Sequence, residues 1–236
     1  LSLGLAFEQR RLAAVDMGWS NPAVSVHSFE RPTTVAQAEL FKAPEARPDA
    51  FLADLEARYG PGRVALASSV PYRPVPVSWP VAAPPGDADR GPLQFAFNTV
   101  TASFFAVIGA RFIEGGVFGA GSDELVLDAS AATRLLGPPP WVGQTVRLRG
   151  AMGDSEHRVS GVVADLRIQG RSEDPEAYLY RPLNTLSQAF HVLVDPEADS
   201  PDSTSLASIA EAHGLRAPLR PPTTLAAEQA HDERFP

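Results

Sequence analysis

The chain has 236 residues, a formal net charge of -8, one lysine (Lys42) and no cysteine. This length suits one large domain or two small ones. The lack of cysteine excludes disulfides, thiolate metal sites and cysteine nucleophiles, and an acidic chain without a basic run argues against nucleic-acid binding. No window of about 20 apolar residues predicts a membrane span, and no signal-peptide pattern occurs. Because the chain begins at Leu1 rather than Met, we expect it to be a piece of a longer protein.

The first part of the chain predicts a β-α-β unit. Its elements are a helical lead-in (1–19), a strand (24–29), a helix (48–59) and a returning strand (63–70). One face of the helix is predicted to carry Phe51, Leu52, Leu55 and Tyr59, as an amphipathic helix requires. The proline-rich segment 71–92 is predicted to be an edge strand or an extended connector, because proline cannot donate to a ladder.

The rest of the chain predicts a mixed middle segment followed by a second β-α-β unit. Strands are expected at 93–99, 124–128, 144–149, within 157–171, within 176–183, at 190–194 and at 215–219, and helices at 102–108 and 129–136, after Asp202 and after Thr223 or Thr224. Asp128 and Asp202 are predicted N-caps, because their carboxylates can accept bonds from unpaired first-turn N–H groups. Two β-α-β units around an insertion predict an α+β fold with two lobes, one of them a separately packed lobe over residues 96–187.

One glycine-rich loop and one acidic loop are candidates for ligand binding. The run Gly115–Gly121 has no lysine nearby, so it indicates a turn rather than a phosphate loop. Residues 195–199 carry alternating carboxylates as a calcium loop does, but Ser200 and Leu206 stand where glycine and glutamate belong. A solvated loop is the better interpretation of that segment.

Catalytic chemistry receives little support from the sequence. The histidines have no zinc-type spacing; they are His27, His157, His191, His213 and His231. No Gly-x-Ser-x-Gly motif occurs, although carboxylates distant in sequence could still form a hydrolase site. The sequence therefore predicts no catalytic, cofactor-binding or metal-binding residue and no cofactor.

Four aromatic side chains and one glycine carry packing predictions. Trp79, Phe104, Phe105 and Trp141 are predicted to be core rather than an apolar docking patch. Gly161 interrupts a β-branched strand, which predicts a bulge or the close approach of another backbone.

Several segments resemble one family in order and spacing. The stretch from His157 to Arg171 and on to Leu183 resembles the "tVVGVVaDvR…yxPl" segment of the periplasmic core domain of MacB/FtsX-like ABC transporter permeases. Residues 98–109, 125–136 and 142–148 resemble further family elements. This chain departs from the family at three places: Phe104 stands where Tyr is usual, Asp128 where Asn is usual, and Gly115-Gly116 where Gly-Arg is usual. The first 90 residues match the family only in their pattern of elements.

The resemblance implies the extracytoplasmic domain of a bacterial inner-membrane protein that is not itself an enzyme. The family's porter-like lobe has a split ferredoxin-like fold; here it would comprise residues 1–95 and 188–236 and lie nearest the membrane. The family's inserted Sabre-like lobe would comprise residues 96–187. Partners would be the protein's own transmembrane helices, a cytoplasmic ATPase, and a periplasmic adaptor or second permease copy. ATP-driven motion would pass through the domain to a partner or cargo.

The expected mechanism is a shift of rigid lobes about short linkers near residues 93–97 and 184–189. Both chain ends should lie on one side, with the 152–155 turn or the 115–122 loop distal to them. Two alternatives stay open: a free-standing periplasmic binding or adaptor domain, and an unrecognised hydrolase.

Overall fold

The computed structural model describes residues 16–30, 47–73, 78–81, 93–119, 122–150, 153–168, 177–184, 189–198, 203–215 and 221–232. Most of the predicted helical lead-in, the cap Asp202 and the strand expected after Leu215 lie outside these ranges. The helices are α1 (Pro48–Tyr59), α2 (Phe104–Val107), α3 (Ala129–Leu136), α4 (Ser203–Ala212) and α5 (Leu225–Asp232). The strands are β1 (Ser25–Glu30), β2 (Val64–Ala67), β3 (Ser78–Val81), β4 (Leu93–Val100), β5 (Phe112–Gly115), β6 (Glu124–Asp128), β7 (Thr145–Gly150), β8 (Gly153–Val163), β9 (Tyr178–Pro182), β10 (Ala189–Val194) and β11 (Thr223–Thr224).

Helix boundaries follow local signals in the sequence. The bounds of α1 agree with the prediction, and its buried residues are Phe51, Leu55 and Tyr59. Asp128 caps α3 as predicted, with its Oδ1 accepting from the Ala131 N–H at 2.7 Å. At the start of α5, Thr224 Oγ1 accepts from the Ala227 N–H at 3.2 Å.

The strands nearest the chain ends form one side of the sheet. β10 pairs antiparallel with both β1 and β2, so β1 and β2 run parallel on either side of it. The β1-α1-β2 unit is therefore split by β10. α1 and α4 cover one face of these strands over a core that includes Phe51, Phe190 and Leu206.

The middle strands form a closed ring of pairings. In order, β4, β3, β7, β8, β6 and β9 are hydrogen-bonded neighbours, and β9 returns to pair parallel with β4. We call these six strands the ring. Side chains alternate along each strand: Phe95 and Phe97 of β4 belong to a core shared with Leu125, Leu127 and α3, as the two-residue period of a strand requires.

The two sets of strands are joined, which corrects one expectation. A single sheet runs from β11 through β1, β10 and β2 into β4 and the ring. A further core combines Val24, Val26 and Ala65 from the terminal strands with Phe104 and Tyr180 from the middle segment. The expectation of a separately packed inserted lobe is therefore wrong, while the division of the chain at 95/96 and 187/188 stays a prediction.

Two local predictions are also corrected. The linker expected at residues 93–97 lies inside β4, where it pairs with β3 and β9. The proline-rich segment supplies β3, which lies between β4 and β7 rather than at an edge. Among the described residues, β3 pairs with β7 only at Val81 and Leu148. Pro80 has no N–H to donate, but this short ladder to β7 does not need one from it.

Candidate functional site

The glycine run after β5 is a close backbone contact. Gly115 has φ of 65°, a conformation that glycine adopts without strain. A Cβ on Gly115 would clash with the carbonyl oxygen of Ser160 and lie 2.6 Å from Val142 Cγ2. A Cβ on Gly161 would clash with the carbonyl oxygen of Gly116 and lie 2.8 Å from its nitrogen. The predicted close approach at Gly161 is thus confirmed, and it explains why position 161 has no side chain.

The strand histidines are buried. His27 on β1 is 2% exposed and His191 on β10 is 7% exposed. Burial lowers the pKa of each to about 4, and Arg73 contributes to the shift at His191. His157 on β8 is also buried, and burial followed by the charge of Arg181 lowers its pKa. Over the described residues, no cluster of His, Asp and Glu suited to holding a metal ion is found.

The loop with alternating carboxylates is held by an arginine. Arg63 Nη1 donates to Asp195 Oδ2 at 3.1 Å and to Glu197 Oε2 at 2.9 Å. Asp195 Oδ1 also accepts from the Glu197 N–H at 2.8 Å. These contacts make the start of the loop an ion-paired turn after β10; Asp199 lies outside the described residues.

The predicted aromatic residues lie in the core where the structure describes them. Phe104 is fully buried, Phe105 is 2% exposed and Trp141 is 9% exposed. The ring of Phe105 contacts that of Tyr180 edge to face, with centroids 5.5 Å apart. The core interpretation is confirmed for these three, and the side chain of Trp79 lies outside the described set.

Two carboxylates near α3 accept hydrogen bonds from backbone N–H groups. Asp128 is fully buried, and its second oxygen accepts from the Tyr178 N–H at 2.7 Å. Burial raises the pKa of Asp128 to about 8, against the effect of its two backbone donors. Asp165 accepts from both the N–H and the hydroxyl of Ser130 at 2.8 Å. Together they fix the start of α3 against β9.

A cluster of buried polar groups joins β2 to β4, and we call it the junction. Its backbone ladder consists of the single pair Ala67 and Val100. Asn98 completes the connection: its Oδ1 accepts from Ser68 Oγ at 2.9 Å and from the Ser69 N–H at 3.0 Å, and its Nδ2 donates to the Ser69 carbonyl at 2.9 Å. Asn98 is fully buried, so these bonds form away from water and hold both strands in one arrangement.

Threonine and serine side chains extend the junction beyond Asn98. Thr101 Oγ1 accepts from the Leu66 N–H at 3.0 Å, and the Thr101 N–H donates to the Leu66 carbonyl at 2.9 Å. Ser103 Oγ donates to the Val64 carbonyl at 2.7 Å. Side chains therefore add to a short backbone ladder, in which the Ser68 N–H donates to the Thr99 carbonyl at 2.9 Å beside the Thr101 bond.

A second polar cluster lies beside the terminal strands. Arg73 Nη2 donates to Glu228 of α5 at 2.5 Å, and its Nη1 donates to Ser28 Oγ of β1 at 2.7 Å. Ser28 Oγ in turn lies 3.0 Å from His191 Nδ1 of β10. We call these four residues the Arg73 cluster.

Sequence patterns indicate these two clusters only faintly. Asn98 follows the apolar run Phe95–Phe97 of β4, which marks a buried polar group but not its partners. Arg73 follows a Val-Pro-Tyr step with no recognisable pattern.

In the described part of the chain no helix is long and apolar enough to cross a membrane.

The junction connects the terminal strands to the ring within one sheet, and a similar overall fold occurs in a known class of domain. The sequence model for the MacB-like periplasmic core domain matches residues 23–209. The chain belongs to that family, as the sequence resemblance indicated, and is thus the extracytoplasmic domain of a MacB-like ABC transporter permease. A search of curated protein sequences found no significant match.

Solved structures show the same fold at low sequence identity. The periplasmic region of MacB from Actinobacillus actinomycetemcomitans aligns with a TM-score of 0.54 and 14% identity, covering 96% of this chain and 99% of that one. The extracellular domain of the noncanonic ABC-type transporter YknZ from Gram-positive bacteria aligns with a TM-score of 0.52 and 15% identity, covering 85% of this chain and 98% of that one. The mixed α/β character of the predicted fold is confirmed by these likenesses; its description as split ferredoxin-like with two lobes stays a prediction.

Proposed function

We propose that this domain transmits ATP-driven movements of transmembrane helices to an extracytoplasmic partner or cargo, without catalysing a reaction itself. The ATPase would be a separate cytoplasmic domain or subunit, as in the class of transporter to which the family belongs. A periplasmic adaptor or a second permease copy would receive the movement. The observation that carries the proposal is the junction, which links the terminal strands to the ring through buried hydrogen bonds.

A continuous path of bonded elements supports this role. α5 is hydrogen-bonded at its first turn to the segment before β1, where the Leu225 N–H donates to the Val24 carbonyl at 3.1 Å. From β1 the path runs through β10 and β2 to the junction, and from the junction into β4 and the ring. Coupling between distant parts of a protein requires rigid elements joined by packed or hydrogen-bonded contacts, and each step of this path has them.

The polar groups of the described core favour a structural role over a catalytic one. Asp128, Asp165 and Asn98 direct their oxygens at backbone N–H groups or at neighbouring hydroxyls. A catalytic acid or base instead needs to reach a proton on a substrate. This use of the buried Asp128 and the partly exposed Asp165 supports a non-enzymatic domain.

The domain division that accompanies the proposal uses the ranges expected from the sequence. Residues 1–95 and 188–236 would form the membrane-proximal part, and residues 96–187 the distal part that meets the partner. The junction then lies at the contact between the two parts, since it joins β2 to the second half of β4. Movement would pass between them through one sheet instead of about a linker at 93–97.

Spin labels can test this proposal in the full-length permease, reconstituted in nanodiscs with its cytoplasmic ATPase. Ala227 on α5 and Asp154 at the start of β8 have exposed side chains, and the lack of cysteine in this domain lets each label be placed singly. The distance from the label on Asp154 to a further label on a transmembrane helix should change when ATP is bound, while the distance between Ala227 and Asp154 stays the same because one bonded path joins them. A distance from Asp154 to the transmembrane helix that is the same with and without ATP would contradict the proposal.

A further inference from the structure

Residues 16–21, which precede β1, are hydrogen-bonded to the middle segment of the chain, and we call them the strap. The Met17 carbonyl accepts from the Arg167 N–H at 3.3 Å, and the Gly18 carbonyl accepts from the Arg111 N–H at 3.4 Å. Met17 is buried in the core that the terminal strands share with the middle segment. The strap is therefore packed against residues that the expected division of the chain assigns to the other part.

Gly18 places the strap closer to the middle segment than a side chain would allow. It has φ of 73°, which glycine adopts without strain. A Cβ on Gly18 would clash with the Asp165 carbonyl oxygen and lie 2.9 Å from the carbon of that carbonyl. Gly62 has a similar φ of 71°, but a Cβ on Gly62 would meet nothing within 4 Å. The two glycines share a backbone conformation and differ in the contact.

The end of the strap provides donors for the carbonyls at the end of α2. The Ser20 and Asn21 N–H groups both donate to the Ile108 carbonyl at 3.1 Å. Asn21 Nδ2 donates to the Val107 carbonyl at 2.9 Å, and Ser20 Oγ donates to the Gly109 carbonyl at 3.1 Å. The last carbonyls of a helix lack partners within the helix. A segment 86 to 89 residues earlier in the chain thus holds this end of α2.

The other end of α2 adjoins the junction. Thr101 and Ser103, which bond to β2, lie just before the helix, and the Phe104 N–H donates to the Thr101 carbonyl at 3.0 Å. The helix is four residues long, and its Phe104, Phe105 and Val107 are buried. Packed and hydrogen-bonded elements carry displacements between distant parts of a protein. A displacement of the strap would consequently reach the junction across a single buried turn.

We propose that the strap, acting through α2, is a route by which movement of the chain before Asp16 reaches the junction. The strap holds the carbonyls at the end of α2, and the start of α2 adjoins Thr101 and Ser103, which hold β2. The source of the movement rests on the proposed function. The connection from the strap to the junction rests on the contacts of the described residues.

Amide hydrogen exchange, measured residue by residue in the 236-residue chain, tests this connection. In Gly18→Ala, the Ser20 and Asn21 amides of the strap should exchange about tenfold faster than in the wild type. The Leu66 and Thr101 amides of the junction should exchange at least about threefold faster, because α2 is then held less firmly at one end. Amides of β7 should stay within about twofold of the wild type.

A matched control and a milder variant accompany Gly18→Ala. Gly62→Ala strains a similar backbone conformation without a contact, so it should leave the strap and junction amides within about twofold of the wild type. Asn21→Ala removes the side-chain bond to Val107 and leaves the backbone bonds of the strap in place. It should speed exchange in the strap and the junction by a smaller factor, and it decides the test if Gly18→Ala does not fold. Asn184→Ala, at an exposed site, is its control and should change neither set of amides.

Two results would overturn the connection. One is faster exchange in the strap with junction amides that stay within about twofold of the wild type. The other is an equal increase in the strap, the junction and β7, because that pattern indicates a general loss of stability.

The full-length permease separates the route from the proposed function. We expect ATP to change both the distance from Asp154 to a transmembrane helix and the exchange of the Ser20 and Asn21 amides. If ATP changes the distance but not the exchange, the proposed function stands and the strap is not its route. If ATP changes neither, the proposed function fails, while the connection from the strap to the junction is still decided by the variants.

Discussion

The backbone of Gly116 lies against Gly161 so closely that a Cβ on Gly161 would clash with the Gly116 carbonyl oxygen, while a Cβ on Gly116 would meet nothing within 4 Å. Two glycines in one contact thus have opposite tolerance for a side chain. Gly161 belongs to β8, at a bulge in its pairing with β6, and Gly116 follows the end of β5. The asymmetry makes the contact a clean test of packing in the ring.

We expect Gly161→Val to lower the free energy of unfolding by about 1–3 kcal/mol, because the added atoms must displace backbone rather than a flexible side chain. Thermal or urea unfolding would measure the change. Gly116→Ala is the matched control and should change stability by less than about 0.5 kcal/mol. Equal unfolding curves for Gly161→Val and the wild type would contradict the contact.

Replacement of Asn98 should weaken the junction. Asn98→Ala removes a buried acceptor and a buried donor. The Ser69 N–H then lacks the acceptor Oδ1, and the Ser69 carbonyl lacks the donor Nδ2. A loss of about 2–3 kcal/mol is expected from unpaired buried groups. Asn184 is exposed, so Asn184→Ala should unfold as the wild type does; a similar loss in both variants would show that burial is not the cause.

The two buried strand histidines predict that stability falls in mild acid. Burial lowers the pKa of His27 and of His191 to about 4 from 6.5. Above pH 6.5 neither the folded nor the unfolded chain binds a proton at these sites. Between pH 6.5 and 4 only the unfolded chain does, so stability is lost as the pH falls, by up to about 3 kcal/mol for each histidine.

His27→Gln isolates this effect, because other titrating groups cancel in the comparison with the wild type. The difference in unfolding free energy between the two proteins should shift in favour of the variant as the pH is lowered from 7 to 4. Urea unfolding at several pH values would measure it. A difference that does not vary with pH would contradict a buried neutral His27.

Asp128 predicts a pH dependence of the opposite sign. Burial raises its pKa to about 8, so below pH 4 both states hold the proton, and between pH 4 and 8 only the folded state does. The stability linked to that proton is lost as the pH rises. The unfolding free energy of Asp128→Asn relative to the wild type should therefore increase from pH 4 to 8, although asparagine can accept only one of the two backbone bonds. A decrease over that range would show that Asp128 is ionised in the folded protein.

Local patterns predicted the helices better than they predicted the sheet. The bounds of α1 and the cap at Asp128 depend on residues within one or two turns, and the sequence contains that information. The place of β3 between β4 and β7 depends on pairing with strands beyond its own neighbours, so proline alone suggested an edge. The continuity of the sheet was also not predicted, because it depends on β4 pairing with β2 of the terminal strands as well as with β3 and β9 of the ring.

The junction and the Arg73 cluster were missed because their partners are distant in sequence. Asn98 meets Ser68, which lies 30 residues earlier, and Arg73 meets Glu228, which lies 155 residues later. A polar residue in an apolar strand indicates that a partner exists but gives no direction to it. The family resemblance supplied the class of protein, because it used the order of several short segments rather than any one contact.

The role of the junction can be tested with the labelled permease. In the wild type and in Asn184→Ala, ATP should change the distance between labels on Asp154 and on a transmembrane helix by the same amount. In Asn98→Ala, which keeps the fold but loosens the contact between β2 and β4, the ATP-dependent change should shrink to less than half. An undiminished change in Asn98→Ala would contradict transmission through the junction.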